Sequence, residues 1–167
     1  MPQAMMPKLP TSPATRRALA LIVGAAAAAG LLQLTPAFEG TVYITYPDLG
    51  GVLTYCTGAT EDAVWGKTYT PAQCREQLDR DLARHAEGVM NCVHHELTDG
   101  QKIAFVDAAY NIGVEAFCRS SMARKANAGD MAGACAALSM WDNVNGKPVK
   151  GLTRRRAAER KLCEGGK

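Results

Sequence analysis

The chain has little net charge, no internal repeat and, apart from a run of alanines, no low-complexity tract. Its 167 residues carry 19 Lys and Arg against 16 Asp and Glu, a net charge of only +3 at pH 7. This balance argues against a dedicated nucleic-acid binder, whose basic patch pushes the charge further. A hydrophobic fraction of 47% rules out a disordered chain. The length fits one domain, or one domain with a tail.

Acidic residues are missing before Glu39, and the stretch 18–34 has no charge at all. Its 17 residues just reach the lower limit of about 17 for a helix that crosses a bilayer. Seven Ala and two Gly make the stretch only weakly hydrophobic. Because Lys8, Arg16 and Arg17 precede it, the positive-inside rule keeps the amino terminus in the cytoplasm and exports the chain from about residue 38 onward.

Several interpretations of this apolar segment are open. A cleaved signal peptide has these basic and apolar regions, although Thr35 and Ala37 make a poor cleavage site. A permanent anchor is normally richer in Leu, Ile and Val, and a buried helix of a cytosolic protein does not explain the flanking basic residues. We favour a provisional anchor, apolar enough to insert and weak enough to leave later. The chain then divides into a basic cytoplasmic terminus (1–17), an anchor (18–37) and an exported domain (38–167).

The exported domain predicts an α+β fold, with a small β element at its front and helices behind it. Alternating residues over 42–46 and 52–56 flank a turn-rich stretch at 47–51, which indicates a hairpin. Capping-box patterns at Thr70 and Thr98 each open a helix.

Further helix boundaries follow from the same kind of pattern. Gly113 ends the second helix, and Asp130 can cap a third. The stretch 152–163 predicts a last, basic helix. A cleft is expected between the hairpin lobe and the helical lobe.

Two carboxylates lie nine positions apart, Glu39 beside the apolar segment and Asp48 in the polar turn. An apolar surround raises the pKa of a carboxyl group, whereas a solvated and hydrogen-bonded carboxylate stays ionised. Glycosidic cleavage uses this asymmetry, because one acid protonates the leaving oxygen and one base handles water or the sugar cation. Thr54 adds a hydroxyl that could hold the water. On spacing alone, such residues are more often a solvated boundary Glu and an ordinary turn Asp.

The pattern around these residues resembles the catalytic signature of phage-type lysozymes, glycoside hydrolase family 24. It consists of Glu39, eight residues, Asp48, five residues and Thr54. The similarity covers about 39 to 163, and its other parts are Gly40, Tyr46, Gly51, Val52, Phe105 to Phe117, Asn127 to Asp130, Trp141, Gly151 to Arg156, Glu159 and Arg160.

The resemblance implies a lysozyme-like fold, in which a small β-hairpin lobe and a mostly helical lobe enclose a cleft. It implies that Glu39 is the general acid, Asp48 the base or cation stabiliser, and Thr54 the residue that positions water. Relatives of this type invert the anomeric centre, which needs carboxyl groups roughly 6.5 to 9.5 Å apart. No metal or cofactor is required.

Three further residues stand where the resemblance implies a saccharide groove, namely Tyr110, Asn111 and Ser120. An ordinary core aromatic residue and ordinary polar helix-end residues explain them equally well. Two positions depart from the family pattern. Val42 replaces the Arg or Lys that often follows the glycine by two residues, which removes an ion-pair partner for the catalytic region, and Ala59 replaces the usual histidine.

A weakly hydrophobic, uncleaved anchor ahead of such a domain is similar to the signal-anchor-release endolysins. In that group the host export machinery inserts an inactive enzyme, which leaves the bilayer when the membrane potential collapses, and the freed segment packs into the catalytic lobe. Glu39 lies only five residues after Leu34, so an embedded helix would hold the general acid at the membrane surface. Cleavage after Ala37 would remove the helix that supports Glu39, which favours release.

These expectations describe an endolysin for host-cell lysis. It would be a monomeric muramidase that hydrolyses the β-1,4 bond between N-acetylmuramic acid and N-acetylglucosamine in peptidoglycan. It would begin in the host inner membrane, facing the periplasm, and then be released to the periplasm. The alternative is a membrane-tethered, peptidoglycan-binding protein that has kept the fold but lost activity, which the departures at Val42 and Ala59 raise.

Six cysteines fit an oxidising compartment. Fifteen pairings are possible, and proximity along the chain favours 74 with 92 and 118 with 135, leaving 56 with 163. None lies within 1–55, so activation should rest on refolding of the released helix rather than on disulfide exchange.

Two other clusters have a competing explanation. Cys92, His94, His95 and Glu96 suggest zinc and a metal-dependent peptidase, but the chain has no HExxH motif and adjacent histidines seldom point to one ion. The run 154–156 of three arginines predicts a solvated, ion-paired helix face, in which Arg155 can pair with Glu159 four residues on.

Overall fold

The structure, a computed structural model, describes residues 18–165. The predicted basic terminus at 1–17 lies outside the described residues. The apolar segment forms two helices, α1 (Leu19–Val23) and α2 (Ala25–Glu39). Gly24 separates them with a φ of +90°, a conformation that favours glycine. The single helix expected over 18–34 is therefore broken in this conformation.

Both helices pack into the body of the protein. Leu19, Val23, Ala27 and Leu31 are at most 1% exposed. Within 18–165, no helix combines the length and the apolar character needed to cross a membrane. The segment that the sequence predicts as an anchor is part of the hydrophobic core here.

The predicted hairpin is confirmed as strands β1 (Val42–Pro47) and β2 (Leu53–Cys56), which pair antiparallel. Tyr46 lies opposite Thr54. The turn is held by Asp48, whose Oδ1 accepts hydrogen bonds from the backbone N–H groups of Gly50 and Val52, both at 2.8 Å. The Asp48 side chain therefore shapes the hairpin.

The rest of the described chain is mostly helical. Its elements are α3 (Pro71–Cys92), α4 (Asp99–Ile112), α5 (Val114–Arg119), α6 (Ser121–Asn127), α7 (Met131–Ala137), a 3₁₀ turn (Leu138–Met140), the short antiparallel pair β3 (Asn143–Val144) and β4 (Lys147–Pro148), and α8 (Lys150–Glu164). Thr70 and Thr98 form the expected capping boxes, Gly113 ends α4, and Asp130 caps α7. Local pattern thus places these four helix boundaries.

Helix α4 lies at the centre and packs against α2, α3 and α8. Its residues Ala104 to Val106, Ala108 and Ala109 are fully buried. Two glycines allow close approach. A Cβ on Gly100 would overlap the carbonyl oxygen of Leu162 in α8, and a Cβ on Gly30 of α2 would lie 2.5 Å from Cδ1 of Ile103.

Three disulfides link Cys56 to Cys74, Cys92 to Cys118 and Cys135 to Cys163. The pairing that we expected is wrong in all three bonds. Cys74 and Cys92 both belong to α3, 18 residues apart, which at about 1.5 Å per residue separates them by roughly 27 Å. A disulfide requires Cα atoms within about 7 Å, so these two cysteines cannot pair.

Candidate active site

Glu39 is the last residue of α2, and its side chain is 29% exposed. An anion at the carboxyl end of a helix is unfavourable, because the backbone carbonyls there carry partial negative charge. The guanidinium of Arg155, from α8, forms an ion pair with Glu39 and offsets this repulsion. The Phe38 ring lies 5.6 Å from the same guanidinium. The apolar surround that we expected for Glu39 is therefore replaced by a cation.

Arg155 is itself held by a buried carboxylate. Its side chain is 4% exposed, and its Nε and Nη2 donate to the two oxygens of Asp107 at 2.9 and 3.1 Å. Thr35 donates a third hydrogen bond to Asp107, from Oγ1 to Oδ1 at 2.7 Å. Burial raises the pKa of Asp107, but hydrogen bonds with Glu159 and Arg155 outweigh it and hold the pKa below its ordinary value. Asp107 is thus a buried anion that fixes Arg155.

Glu159 completes the cluster as a neutral acid. Burial and a hydrogen bond to Asp107 raise its pKa to about 10, so it keeps its proton at neutral pH. Arg156 donates to Glu159 Oε1 at 2.7 Å, an attraction that lowers the pKa but does not outweigh burial. Among the described residues, Glu159 Oε2 is buried and receives no hydrogen bond from an arginine. Within the buried part of the cluster, Asp107 is then the anion that faces the guanidinium of Arg155, and Glu159 is neutral.

The expected solvated arginine face is therefore wrong for two of its three members. Arg155 and Arg156 are 3% and 1% exposed, whereas Arg154 is exposed. Nε of Arg155 does lie 3.6 Å from Oε1 of Glu159, as the four-residue spacing predicts. Val42 stands where the family often has a cation, but Glu39 still has an ion-pair partner. Arg155, far from it in the sequence, provides the positive charge.

A cavity of about 720 Å³ opens beside Glu39. One side is formed by Tyr55, in β2, and the segment 57–62 after this strand, and the other side by residues of α3 between 77 and 85. It therefore lies between the two lobes, where the sequence predicts a cleft. Three of the six predicted site residues line it, namely Glu39, Tyr110 and Asn111.

Tyr110 and Asn111 both have protein partners in this cleft. The Tyr110 hydroxyl donates to the carbonyl oxygen of Thr57 at 2.6 Å, which ties α4 to the segment after β2. Burial raises the pKa of Tyr110, so its phenol stays neutral. Asn111 Oδ1 accepts a hydrogen bond from Arg156 at 3.0 Å. Their contact with a saccharide stays a prediction.

The other three predicted residues do not line this cavity. Asp48 lies in the hairpin turn, and Thr54, in β2, donates from Oγ1 to the Val52 carbonyl oxygen at 3.0 Å. Ser120 is 6% exposed, caps α6 and donates to the Phe117 carbonyl oxygen at 2.6 Å. The helix-end explanation accounts for Ser120, while the roles of Asp48 and Thr54 stay predictions.

Sequence reasoning missed Thr35, Asp107 and His85. His85 lines the cavity, and its ring packs 4.9 Å from that of Tyr110. Asp107 did carry a signal, because a charged residue inside the apolar run 103–109 must find a buried partner. Nothing local identifies that partner. Within 18–165, no group of three or more His, Cys, Asp or Glu residues could hold a metal ion.

Comparisons with known proteins identify the family of this chain. The family model described as Phage lysozyme matches residues 36–159. A SAR-endolysin of Enterobacteria phage P21 is 39% identical over 158 residues, which are 90% of this chain and 96% of that protein. A SAR-endolysin of bacteriophage PS119 is 39% identical over 163 residues, 93% of this chain and 98% of that protein.

Solved structures share the fold. The muramidase domain of SpmX from Asticaccaulis excentricus has a TM-score of 0.74 at 34% identity, over 80% of this chain and 93% of that one. The active form of P1 phage endolysin Lyz has a TM-score of 0.76 at 24% identity, over 90% and 95% of the two chains. The secreted inactive form of Lyz has a TM-score of only 0.56 at 20% identity, over 84% of this chain and 94% of that one.

Proposed function

We propose that this chain, which belongs to the phage lysozyme family and is of the SAR-endolysin kind, hydrolyses the β-1,4 bond between N-acetylmuramic acid and N-acetylglucosamine with inversion. The observation that carries the proposal is the position of Glu39. Its carboxyl group stands at the end of a docked helix, bordering a 720 Å³ cavity between two lobes. A polysaccharide strand can cross such an open cleft, and peptidoglycan is the substrate that the family implies.

In this proposal Glu39 takes up a proton from solvent before each turnover and delivers it to the glycosidic oxygen, while Arg155 holds the carboxyl group in place. Asp48 acts as the base for water or stabilises the sugar cation, and Thr54 positions that water. Both backbone hydrogen bonds to Asp48 in the described hairpin go to Oδ1, which leaves Oδ2 for water. Attack by water from the face opposite Glu39 gives inversion.

Reducing-end analysis of digested, purified peptidoglycan tests the reaction. The wild type should release new muramic acid reducing ends, first as the α-anomer, and Glu39→Gln should lose this activity. Glu115→Gln is the matched control, because Glu115 forms an exposed surface pair with Arg119 at 2.8 Å and should leave hydrolysis unchanged. Equal behaviour of the wild type and Glu39→Gln would support the wall-binding alternative instead.

The second part of the proposal is activation by release. The 18–37 segment would first be embedded by the host export machinery, with 1–17 in the cytoplasm and the catalytic domain, 38–167, in the periplasm. It would then leave the bilayer and dock, giving a monomeric periplasmic enzyme. Burial of Leu19, Val23 and Leu31 in the core supports a docked end state. The fold is also closer to the active than to the inactive form of Lyz, with TM-scores of 0.76 and 0.56.

Fractionation before and after addition of a protonophore tests release. The full-length chain should move from the membrane to the soluble fraction with an unchanged intact mass. Ala25, Ala26 and Ala29 are exposed in the docked form, so a triple change to Leu strengthens the anchor without disturbing the core. It should delay release, and a triple change to Ser should not. A shortened product that starts near Phe38 would instead show signal cleavage.

A further inference from the structure

Two side chains of α2, one helical turn apart, contact the two members of one buried ion pair. Thr35 donates to Asp107 at 2.7 Å, and Glu39 pairs with Arg155. Asp107 and Arg155 belong to α4 and α8 and are joined to each other at 2.9 and 3.1 Å. The pair is therefore a feature of the helical body, whereas Thr35 and Glu39 both arrive with α2.

The apolar contacts of α2 restrict its docking register at one position, Gly30, where a Cβ would lie 2.5 Å from Ile103 Cδ1. Its buried face before Thr35 consists of Ala27, Ala28 and Leu31, with Gly30 against Ile103. Apolar burial itself is non-directional, so the other side chains of this face, Ala27, Ala28 and Leu31, could still meet apolar surface after a shift. A directional, buried polar contact adds a second and sharper distinction between one register and the next.

Slippage by one turn breaks the polar contacts in either direction. In one direction Leu31 would take the place of Thr35, and Asp107 would lose a hydrogen-bond donor in a fully buried site. In the other direction the Glu39 carboxyl group would move to the place of Thr35 beside the Asp107 carboxylate and would lose its contact with Arg155. A buried polar group that loses its partner is costly, so only the observed register satisfies the pair.

We infer that Thr35 is a positioning residue, whose hydrogen bond to Asp107 sets the register in which α2 docks and so places Glu39 against Arg155. The catalytic consequence rests on the proposed role of Glu39 as the general acid. The register itself does not. Thr35 thereby couples the docking of the apolar segment to the alignment of the carboxyl group at the cavity.

Three variants of the full-length, soluble protein test this inference. Thr35→Val removes the hydroxyl at almost constant shape, and Thr35→Ser retains it. Thr153→Val is the matched control, because Thr153 also donates to a carboxylate, Asp142 at 2.9 Å, but on the exposed side of α8. Steady-state hydrolysis of purified peptidoglycan and hydrogen exchange of the α2 amides are measured for each.

Thr35→Val should lower kcat about tenfold or more with KM within about twofold, since a hydrogen bond to a charged group contributes at least about that factor. Its α2 amides should exchange about tenfold faster, while those of α4 stay protected. Thr35→Ser and Thr153→Val should stay within about threefold of the wild type in both measurements.

The inference would be overturned if Thr35→Val had the same kcat and the same α2 exchange rates as the wild type. It would also be overturned if Thr35→Ser were as impaired as Thr35→Val. An inactive wild type would instead end the proposed reaction. In that case hydrogen exchange still decides the register, because faster exchange confined to α2 in Thr35→Val supports it and unchanged exchange refutes it.

Discussion

Glu159→Gln changes how the stability of the protein depends on pH, because it removes a buried carboxyl that titrates far from its usual range. The pKa of Glu159 is raised from 4.5 to about 10. Gln has nearly the shape of the protonated acid. Its amide can donate to Asp107 and its carbonyl can accept from Arg156, so the variant keeps the contacts of the neutral form.

The direction of the pH dependence follows from the number of protons bound to the folded and to the unfolded protein. Between about pH 4.5 and pH 10 the unfolded chain has lost the Glu159 proton and the folded protein keeps it. The free energy of unfolding therefore falls as pH rises through this window, by at most about 1.4 kcal/mol per pH unit. From pH 5 to pH 9 we expect a loss on the order of several kcal/mol from this group, which Glu159→Gln should abolish.

Asp107 acts in the opposite direction at acidic pH. Its pKa is held below the ordinary value of 3.8, so the stability that it contributes is present above that pH and is lost as pH falls. The wild type and Glu159→Gln should therefore both lose stability below about pH 4. The difference between them begins above about pH 4.5 and grows up to about pH 10.

Urea unfolding at pH 5, 7 and 9, followed by circular dichroism with the disulfides intact, measures the effect. The variant should equal the wild type at pH 5 and exceed it at pH 9. Glu115→Gln, at the surface, should follow the wild-type curve. Parallel pH profiles for the wild type and Glu159→Gln would mean that Glu159 is ionised in the folded protein. The neutral state that we assign to this side chain would then be wrong.

Three further changes test the packing around this cluster. Gly100→Ala drives a methyl group into the backbone of α8 at Leu162 and should lower the free energy of unfolding by about 1 to 3 kcal/mol; an unchanged Tm would contradict the close approach. Arg155→Lys keeps the charge but cannot bind Asp107 through two nitrogens and reach Glu39, so peptidoglycan hydrolysis should fall at least tenfold, and activity within twofold of the wild type would refute this role. Replacing Cys135 and Cys163 by Ala removes a disulfide that spans 28 residues and should lower the free energy of unfolding, measured with denaturant, by about 3 to 4 kcal/mol. A decrease below about 1 kcal/mol would show that this bond restricts the unfolded chain little.

Features set by neighbours along the chain were predictable from the sequence. The capping boxes at Thr70 and Thr98 involve residues three positions apart, and the hairpin turn depends on Asp48 and its next four residues. The family resemblance likewise follows from short motifs, and the match over residues 36–159 confirms it. The disulfide pairing could have been narrowed too, because the predicted helix over Cys74 already places that residue far from Cys92.

Features that join distant parts of the chain depended on the tertiary structure. Arg155 looks like one of three solvated arginines in the sequence, yet it lies buried between Glu39, 116 residues earlier, and Asp107, 48 residues earlier. No local pattern states which side of a helix meets which neighbour. The sequence by itself therefore determined several helix boundaries, the hairpin and the candidate acid. Packing decided which charges are buried together, because burial is fixed only when separate helices meet.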